Sequence, residues 1–84
     1  MYKLKVTKRF KQDAIKIYQY PAMYKKLKVL IKVLQANPYN PPYEKLICRD
    51  NTYSRRLNIQ HRLVYEIFED TKTVKLHSCW THYE

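Results

Sequence analysis

The chain has 84 residues, and its 17 Lys and Arg against 7 Asp and Glu give a formal net charge of +10. A chain of this length forms one domain with one modest core, and so large a positive surplus favours a polyanionic partner, nucleic acid before an anionic membrane. Glycine is absent, which excludes the glycine-rich phosphate-binding loops of P-loop and Rossmann proteins.

The N-terminal stretch predicts a strand followed by a helix. Residues 2–6 (YKLKV) alternate polar and apolar side chains, the period of a short strand. Thr7 then has the position of an N-cap, and Phe10, Ala14 and Ile17 recur with the spacing of one helix face. The same stretch has no continuous apolar segment like that of a signal peptide or membrane span, so we expect a cytoplasmic protein.

A second helix is predicted over residues 22–37, with lysines on the side opposite its apolar stripe. The stripe consists of Met23, Leu27, Leu30 and Leu34. Pro21 ends the first helix and can occupy the first turn of the second. The two helices are therefore predicted to form an αα-hairpin.

The second half of the chain predicts a loop and three strands. Residues 37–44 (NPYNPPYE) contain three prolines and two asparagines, which predicts a stiff, extended loop. Strand-like alternation follows at 52–58, 61–69 and 73–81, with the last two strands joined as a hairpin. The order β-α-α-β-β-β over residues 1–84 predicts a single α+β domain, in which the helical hairpin covers one face of an antiparallel sheet.

The cysteines predict free thiols rather than a metal site. Cys48 and Cys79 lie far apart and form no C-x-x-C pair, as in proteins of a reducing compartment, although the sequence leaves a disulfide open. His77, Cys79 and His82 are close in sequence. In a strand, however, His82 lies on a different face from the other two, so we predict no zinc site.

Three residues have the chemistry needed to cleave RNA without a metal. Glu44 lies at the exit of the proline-rich loop, Arg62 begins the central strand, and His82 follows the last strand. Cleavage needs a base for the ribose 2′-hydroxyl, a cation for the charge that develops on the phosphate, and an acid for the departing 5′-oxygen. Taken singly, each residue has an ordinary structural explanation, Glu44 as a salt-bridge partner of Lys45 or Arg49. Together they predict a candidate site.

The motifs of this second half resemble a known toxin family. "YSRRLNIQHRLVYEIFED", followed after a short hairpin by "SCWTHYE", resembles the YoeB (Txe) branch of the RelE-type bacterial toxins, which have an S-R-R strand, an H-R-[LV]-V-Y strand and a C-terminal H-Y. "QANPYN" and "EKL" match the layout of the same family. The resemblance implies a RelE-like fold and a type II toxin, a ribosome-dependent endoribonuclease that cuts translated mRNA in the A site with no cofactor.

The resemblance also implies roles for individual residues. The general base would be Glu44, the transition-state cation Arg62, the general acid His82, and Tyr83 an orienting or stacking residue. Arg55 and Arg56 of the S-R-R strand would grip phosphates. Some relatives have a lysine where this chain has Ile47, and Lys45 or Arg49 would replace it. Some relatives also have an acidic residue where this chain has Gln60.

The partners that the resemblance implies are a cognate acidic antitoxin similar to YefM, the 70S ribosome with its mRNA, and a second copy of the toxin in a homodimer. Operator DNA would be bound through the antitoxin, and no membrane is involved. The alternative from another class is a non-catalytic basic module that binds RNA or the ribosome. A sequence-specific DNA-binding protein is a weaker alternative, because no helix-turn-helix pattern stands out.

Overall fold

The computed structural model describes residues 1–47, 49–58 and 60–80 and confirms the predicted α+β fold. Two helices pack against a five-stranded sheet whose strand order is β1-β5-β4-β3-β2. The elements are β1 (Lys3–Val6), α1 (Lys8–Ile17), α2 (Pro21–Ala36), β2 (Glu44–Lys45), β3 (Thr52–Arg56), β4 (Arg62–Phe68) and β5 (Thr73–Ser78).

Thr7 caps α1 as predicted and also attaches the helix to the sheet. Its Oγ1 accepts a hydrogen bond from the backbone N–H of Phe10 at 3.0 Å and donates one to the carbonyl of His77 at 2.7 Å. The backbone N–H of Thr7 donates to the carbonyl of Leu76 at 3.1 Å. The start of α1 is therefore fixed against the end of β5. The second helix begins at Pro21, in the first-turn position that suits proline.

The sheet differs from the predicted antiparallel sheet in two ways. A two-residue strand, β2, forms at the exit of the proline-rich loop and pairs with β3. The first strand pairs with β5 in parallel, whereas the β2–β3, β3–β4 and β4–β5 pairs are antiparallel. The parallel pair arises because the helices carry the chain across one face of the sheet to its far edge, and three reversals of direction then bring β5 back beside β1.

One face of the sheet packs against the helices and forms the core. Leu63, Tyr65 and Ile67 of β4 face the helices and are 0–2% exposed. They form one cluster with buried side chains of both helices, among them Ile17 and Leu34. Fully burying each such side chain contributes about 1.5–3 kcal/mol. None of the described helices packs over the opposite face of the sheet, on which Arg62 lies and which we call the uncovered face.

No helix among the residues that the structure describes is long and apolar enough to cross a membrane.

Candidate active site

Two of the residues predicted to act together, Glu44 and Arg62, are in direct contact. Arg62 Nη2 lies 2.6 Å from Glu44 Oε1, although the two residues are 18 positions apart. The pairing of the strands explains the contact. Glu44 lies opposite Ser54, and Arg56 lies opposite Arg62, so all four residues share the uncovered face of the sheet.

Ser54 fixes the arginine of this pair. Ser54 is 1% exposed, and its Oγ accepts a hydrogen bond from Arg62 Nη1 at 3.3 Å. The Arg62 side chain is 16% exposed and the Glu44 side chain 67%. The cation is thus held in place while the carboxylate stays open to solvent. So exposed an ion pair contributes only about 0–1 kcal/mol to stability.

A surface cleft of about 460 Å³ lies beside the ion pair. Its wall includes Lys26 and Leu30 from α2, Tyr43 from the proline-rich loop, and both Arg55 and Arg56 from β3. Cationic side chains suit phosphate oxygens, and a partly exposed tyrosine ring offers a platform for an unpaired base. Ser54 and Lys26 were not predicted from the sequence. The alternation of β3 would have placed Ser54 on the face of Arg56, whereas no local signal distinguishes Lys26 from the other lysines of α2.

Arg55 does not lie on the face of the ion pair. As the residue between Ser54 and Arg56 it points to the opposite face of the sheet, and it is 3% exposed. Its Nε donates a hydrogen bond to the hydroxyl of Tyr65 at 3.2 Å, and its Nη2 donates to the carbonyl of Asn40. Burial raises the pKa of Tyr65, and the neighbouring Arg55 opposes part of that rise. Arg55 therefore lines the cleft beside the ion pair with its guanidinium tied to Tyr65 and to the loop.

The other three predicted RNA contacts are exposed. Arg56 shares the face of Glu44 and Arg62. Lys45 follows Glu44 in β2, so its side chain projects to the opposite face. Arg49 lies between β2 and β3, outside any strand. Of the four predicted RNA-binding residues, Arg55 and Arg56 line the cleft beside the ion pair, and Arg56 shares the face of the pair.

His82 and Tyr83, the predicted acid and its neighbour, lie outside the described residues. The segment directly before them is anchored to α1. Asp13 is 4% exposed, and its Oδ2 accepts hydrogen bonds from the backbone N–H groups of Cys79 at 3.1 Å and Trp80 at 3.3 Å. The Trp80 ring stacks on His61 with centroids 4.0 Å apart. Trp80 is partly buried and packs against the core.

Cys79 is a buried free thiol. Burial raises its pKa to about 12, and the nearby Asp13 carboxylate adds to the rise. A thiol with so high a pKa is protonated near neutral pH and is a poor nucleophile. Cys48 lies outside the described residues.

Several solved structures share this fold. The YoeB/ParE toxin from Agrobacterium tumefaciens has a TM-score of 0.84 and 24% identity over 96% of this chain and 99% of that one. The YoeB dimer from Staphylococcus aureus has a TM-score of 0.81 and 30% identity over 98% of both chains. The E. coli RelBE toxin–antitoxin complex has a TM-score of 0.84 and 20% identity over 100% of both chains. No protein-family model and no curated protein sequence matches the chain.

The helical hairpin on one face of a five-stranded sheet is the fold of the RelE-type toxins. Within that class, the match to the S. aureus protein extends along nearly the whole of both chains. The chain belongs to the YoeB family.

Proposed function

We propose that this chain is a ribosome-dependent endoribonuclease that cuts translated mRNA by metal-independent acid–base chemistry. The observation that carries the proposal is the Glu44–Arg62 contact of 2.6 Å on the uncovered face of a +10 chain. A base and a cation side by side are two of the three groups that cleavage of RNA at a 2′-hydroxyl needs. The exposed carboxylate can accept a proton, and the fixed guanidinium can hold a developing negative charge.

In the proposed reaction, Glu44 removes the proton of the ribose 2′-hydroxyl, and the 2′-oxygen attacks the adjacent phosphorus. Arg62 stabilises the charge that builds on the non-bridging oxygens. The bond from phosphorus to the 5′-oxygen breaks, and His82 donates a proton to that oxygen. The products are a 2′,3′-cyclic phosphate and a 5′-hydroxyl. Tyr83 orients or stacks on the substrate, and Arg56 binds a flanking phosphate.

The proposed dependence on the ribosome follows from the need to align the 2′-oxygen of the RNA with the scissile phosphate. Glu44 is widely open to solvent, and the described residues provide no deep, closed pocket that would hold a flexible RNA strand with its 2′-oxygen in line with the scissile phosphate. A ribosome-bound mRNA supplies that geometry, and fixing reactants in line can lower a barrier by several kcal/mol, up to about 7–11. We therefore expect fast cleavage of mRNA in the A site and slow or absent cleavage of free RNA.

The proposed partners follow from the charge of the chain and from its relatives. S. aureus YoeB is known as a dimer and in a complex with YefM. For this chain we propose a cognate acidic antitoxin whose disordered segment folds on binding, with operator DNA bound through that antitoxin, and a homodimer in its absence. Electrostatic steering by the +10 surface makes the association fast and sensitive to salt.

The test is single-turnover cleavage of mRNA on programmed ribosomes beside a ribosome-binding isotherm for each variant. Glu44→Gln and His82→Gln should each slow cleavage by roughly 10² to 10⁴ with little change in affinity, since each removes a general base or acid. Asp70→Asn is the matched control, because it removes one exposed carboxylate from the β4–β5 turn and should cut at the parent rate.

The non-catalytic alternative gives the opposite pattern. If the chain only binds RNA or the ribosome, Arg56→Ala and Arg62→Ala would dominate the losses, and Glu44→Gln would leave affinity unchanged or raise it. Parent protein that fails to cut mRNA on programmed ribosomes, or that cuts free RNA equally fast, would contradict the proposed function.

A further inference from the structure

The proposed base lies on a strand that cannot hold itself in place. Strand β2 has only two residues, Glu44 and Lys45, and it forms an edge of the sheet. A two-residue ladder at an edge is too short to be stable alone. Something else must fix the backbone that delivers Glu44 to Arg62, and the segment directly before Glu44 is the proline-rich loop, residues 37–43.

The loop is attached to the core through Arg55. The guanidinium reaches from β3 to the carbonyl of Asn40 in the loop, while its Nε is bound to the hydroxyl of Tyr65 in the centre of the sheet. The Cζ atom of the Arg55 guanidinium lies 6.0 Å from the centroid of the Tyr43 ring. Tyr43 is the residue directly before Glu44 in the chain. One planar side chain therefore contacts the core strand, the middle of the loop and its last residue.

This arrangement is specific to an arginine. A buried cation is costly unless its N–H groups are satisfied, and no carboxylate among the described residues forms an ion pair with Arg55. The cost is offset by the hydroxyl, the carbonyl and the aromatic ring. A lysine has a single compact ammonium in place of the fixed planar fork, so it cannot reproduce both hydrogen bonds with the same geometry.

Other contacts hold residues of the loop on either side of Asn40. Tyr39 donates a hydrogen bond from its hydroxyl to Glu69 Oε2 at 2.6 Å, and its backbone N–H donates to Asn37 Oδ1 at 3.0 Å. The Tyr43 ring lies edge-on to Tyr53, with centroids 5.4 Å apart. Among the described residues, the hydrogen bond that ties the middle of the loop to the sheet comes from Arg55.

We infer that Arg55 is a positioning residue, which holds the proline-rich loop so that β2 presents the Glu44 carboxylate to Arg62. This inference rests on the proposed function for its catalytic consequence, and it replaces the phosphate contact predicted for Arg55 from the sequence. A displacement of Glu44 by about 1 Å is enough to slow a reaction by roughly 10². Arg55 acts through Glu44 and does not touch RNA.

The first measurement needs no activity. Amide hydrogen exchange at Leu46, whose N–H donates to the carbonyl of Thr52 at 2.9 Å, reports how firmly the end of β2 is held. In Arg55→Lys this amide should exchange about tenfold faster or more, while amides in the centre of β4 stay protected. Arg56→Lys is the matched control: it is the next residue of β3, on the other face, and should leave exchange at Leu46 unchanged.

The second measurement is a double-mutant cycle in the ribosomal cleavage assay. Arg55→Lys should slow single-turnover cleavage roughly 10- to 100-fold with ribosome affinity unchanged. In a Glu44→Gln background the same substitution should cause no further loss, because its effect passes through Glu44. Tyr65→Phe removes the hydroxyl and keeps the packed ring, so it should slow cleavage by a smaller factor, again with ribosome affinity unchanged. This variant replaces Arg55→Lys in the experiment if Arg55→Lys does not fold.

The outcomes separate this inference from the proposed function. Unchanged exchange at Leu46 in both Arg55→Lys and Tyr65→Phe would overturn the inference, whatever the activity. Weakened ribosome binding, or losses that add fully to that of Glu44→Gln, would also overturn it and return Arg55 to an RNA contact. The parent protein could fail to cleave mRNA on ribosomes while Arg55→Lys still speeds exchange at Leu46. That result would contradict the proposed function and support the role of Arg55 in holding the loop.

Discussion

Replacing Asp13 with alanine should destabilise the fold out of proportion to the size of the side chain. Asp13 lies on α1, is 4% exposed, and its Oδ2 accepts from the backbone N–H groups of Cys79 and Trp80. Cys79 is fully buried, so its N–H would lose its partner with no water to replace it. Trp80 is only partly buried, and water can satisfy its N–H in part.

The magnitude follows from these two donors. An unsatisfied buried N–H costs about 1–3 kcal/mol, and a hydrogen bond to a charged group contributes about 1.5–3 kcal/mol. Counting the Cys79 N–H in full and the Trp80 N–H at a fraction, we expect Asp13→Ala to lower the free energy of unfolding by about 2–4 kcal/mol. Arg9, 3.7 Å from Asp13 Oδ2 with a side chain 65% exposed, adds little.

The assay is equilibrium unfolding in urea at neutral pH, with the slope of the transition compared between variants. Asp13→Asn keeps an oxygen that can accept from both N–H groups, so it should cost roughly 1 kcal/mol, well below alanine. Asp70→Ala is the exposed control, expected to change stability by less than about 0.5 kcal/mol. An Asp13→Ala protein as stable as the parent, or an Asn variant as unstable as the Ala variant, would refute the reasoning.

Three further predictions concern other parts of the chain. Lys72 and two tyrosine hydroxyls hold the pKa of Glu69 at about 2. The contribution of Glu69 to stability is therefore present above pH 4.5 and is lost as the pH falls towards 2. Glu69→Gln should flatten the pH dependence of the urea midpoint between these two pH values. In a Cys48→Ser background, Cys79 should resist a thiol reagent at pH 8 until the protein unfolds, and rapid labelling of the native state would contradict its burial. Deleting residues 81–84 should reduce ribosomal cleavage as much as His82→Gln with the urea midpoint unchanged, and a truncated protein that cuts at the parent rate would rule out an acid in that segment.

Local signals in the sequence predicted the helices and the longer strands. The N-cap at Thr7 and the proline at position 21 fix where the two helices begin, and the alternation of β4 separates its core face from its uncovered face. The parallel pairing of β1 with β5 and the short strand β2 were not predicted. Both depend on partners far along the chain, and a two-residue strand has no periodicity of its own.

The candidate site was predictable in part for the same reason. Complementary chemistry and the family resemblance singled out Glu44 and Arg62, which the structure places in contact. Two adjacent arginines in an S-R-R motif look equivalent as phosphate contacts. Because consecutive side chains of a strand point to opposite faces, Arg56 lies on the uncovered face and Arg55 lies between the sheet and the loop. Only the contacts of Asn40 and Tyr65, distant in sequence, identify what Arg55 holds.

The parallel pair of β1 and β5 has a consequence for how the protein is made. The hydrogen bond from Thr7 to His77 spans 70 positions, and among the described strands β1 pairs with β5 alone. Strand β1 therefore has no pairing partner until β5 has been synthesised, and the start of α1 is not attached to the sheet before then. Contacts this distant in sequence slow folding, because a long loop must close before any of them forms. The complete sheet, and with it a finished toxin, can form only once nearly the whole chain has left the ribosome that makes it.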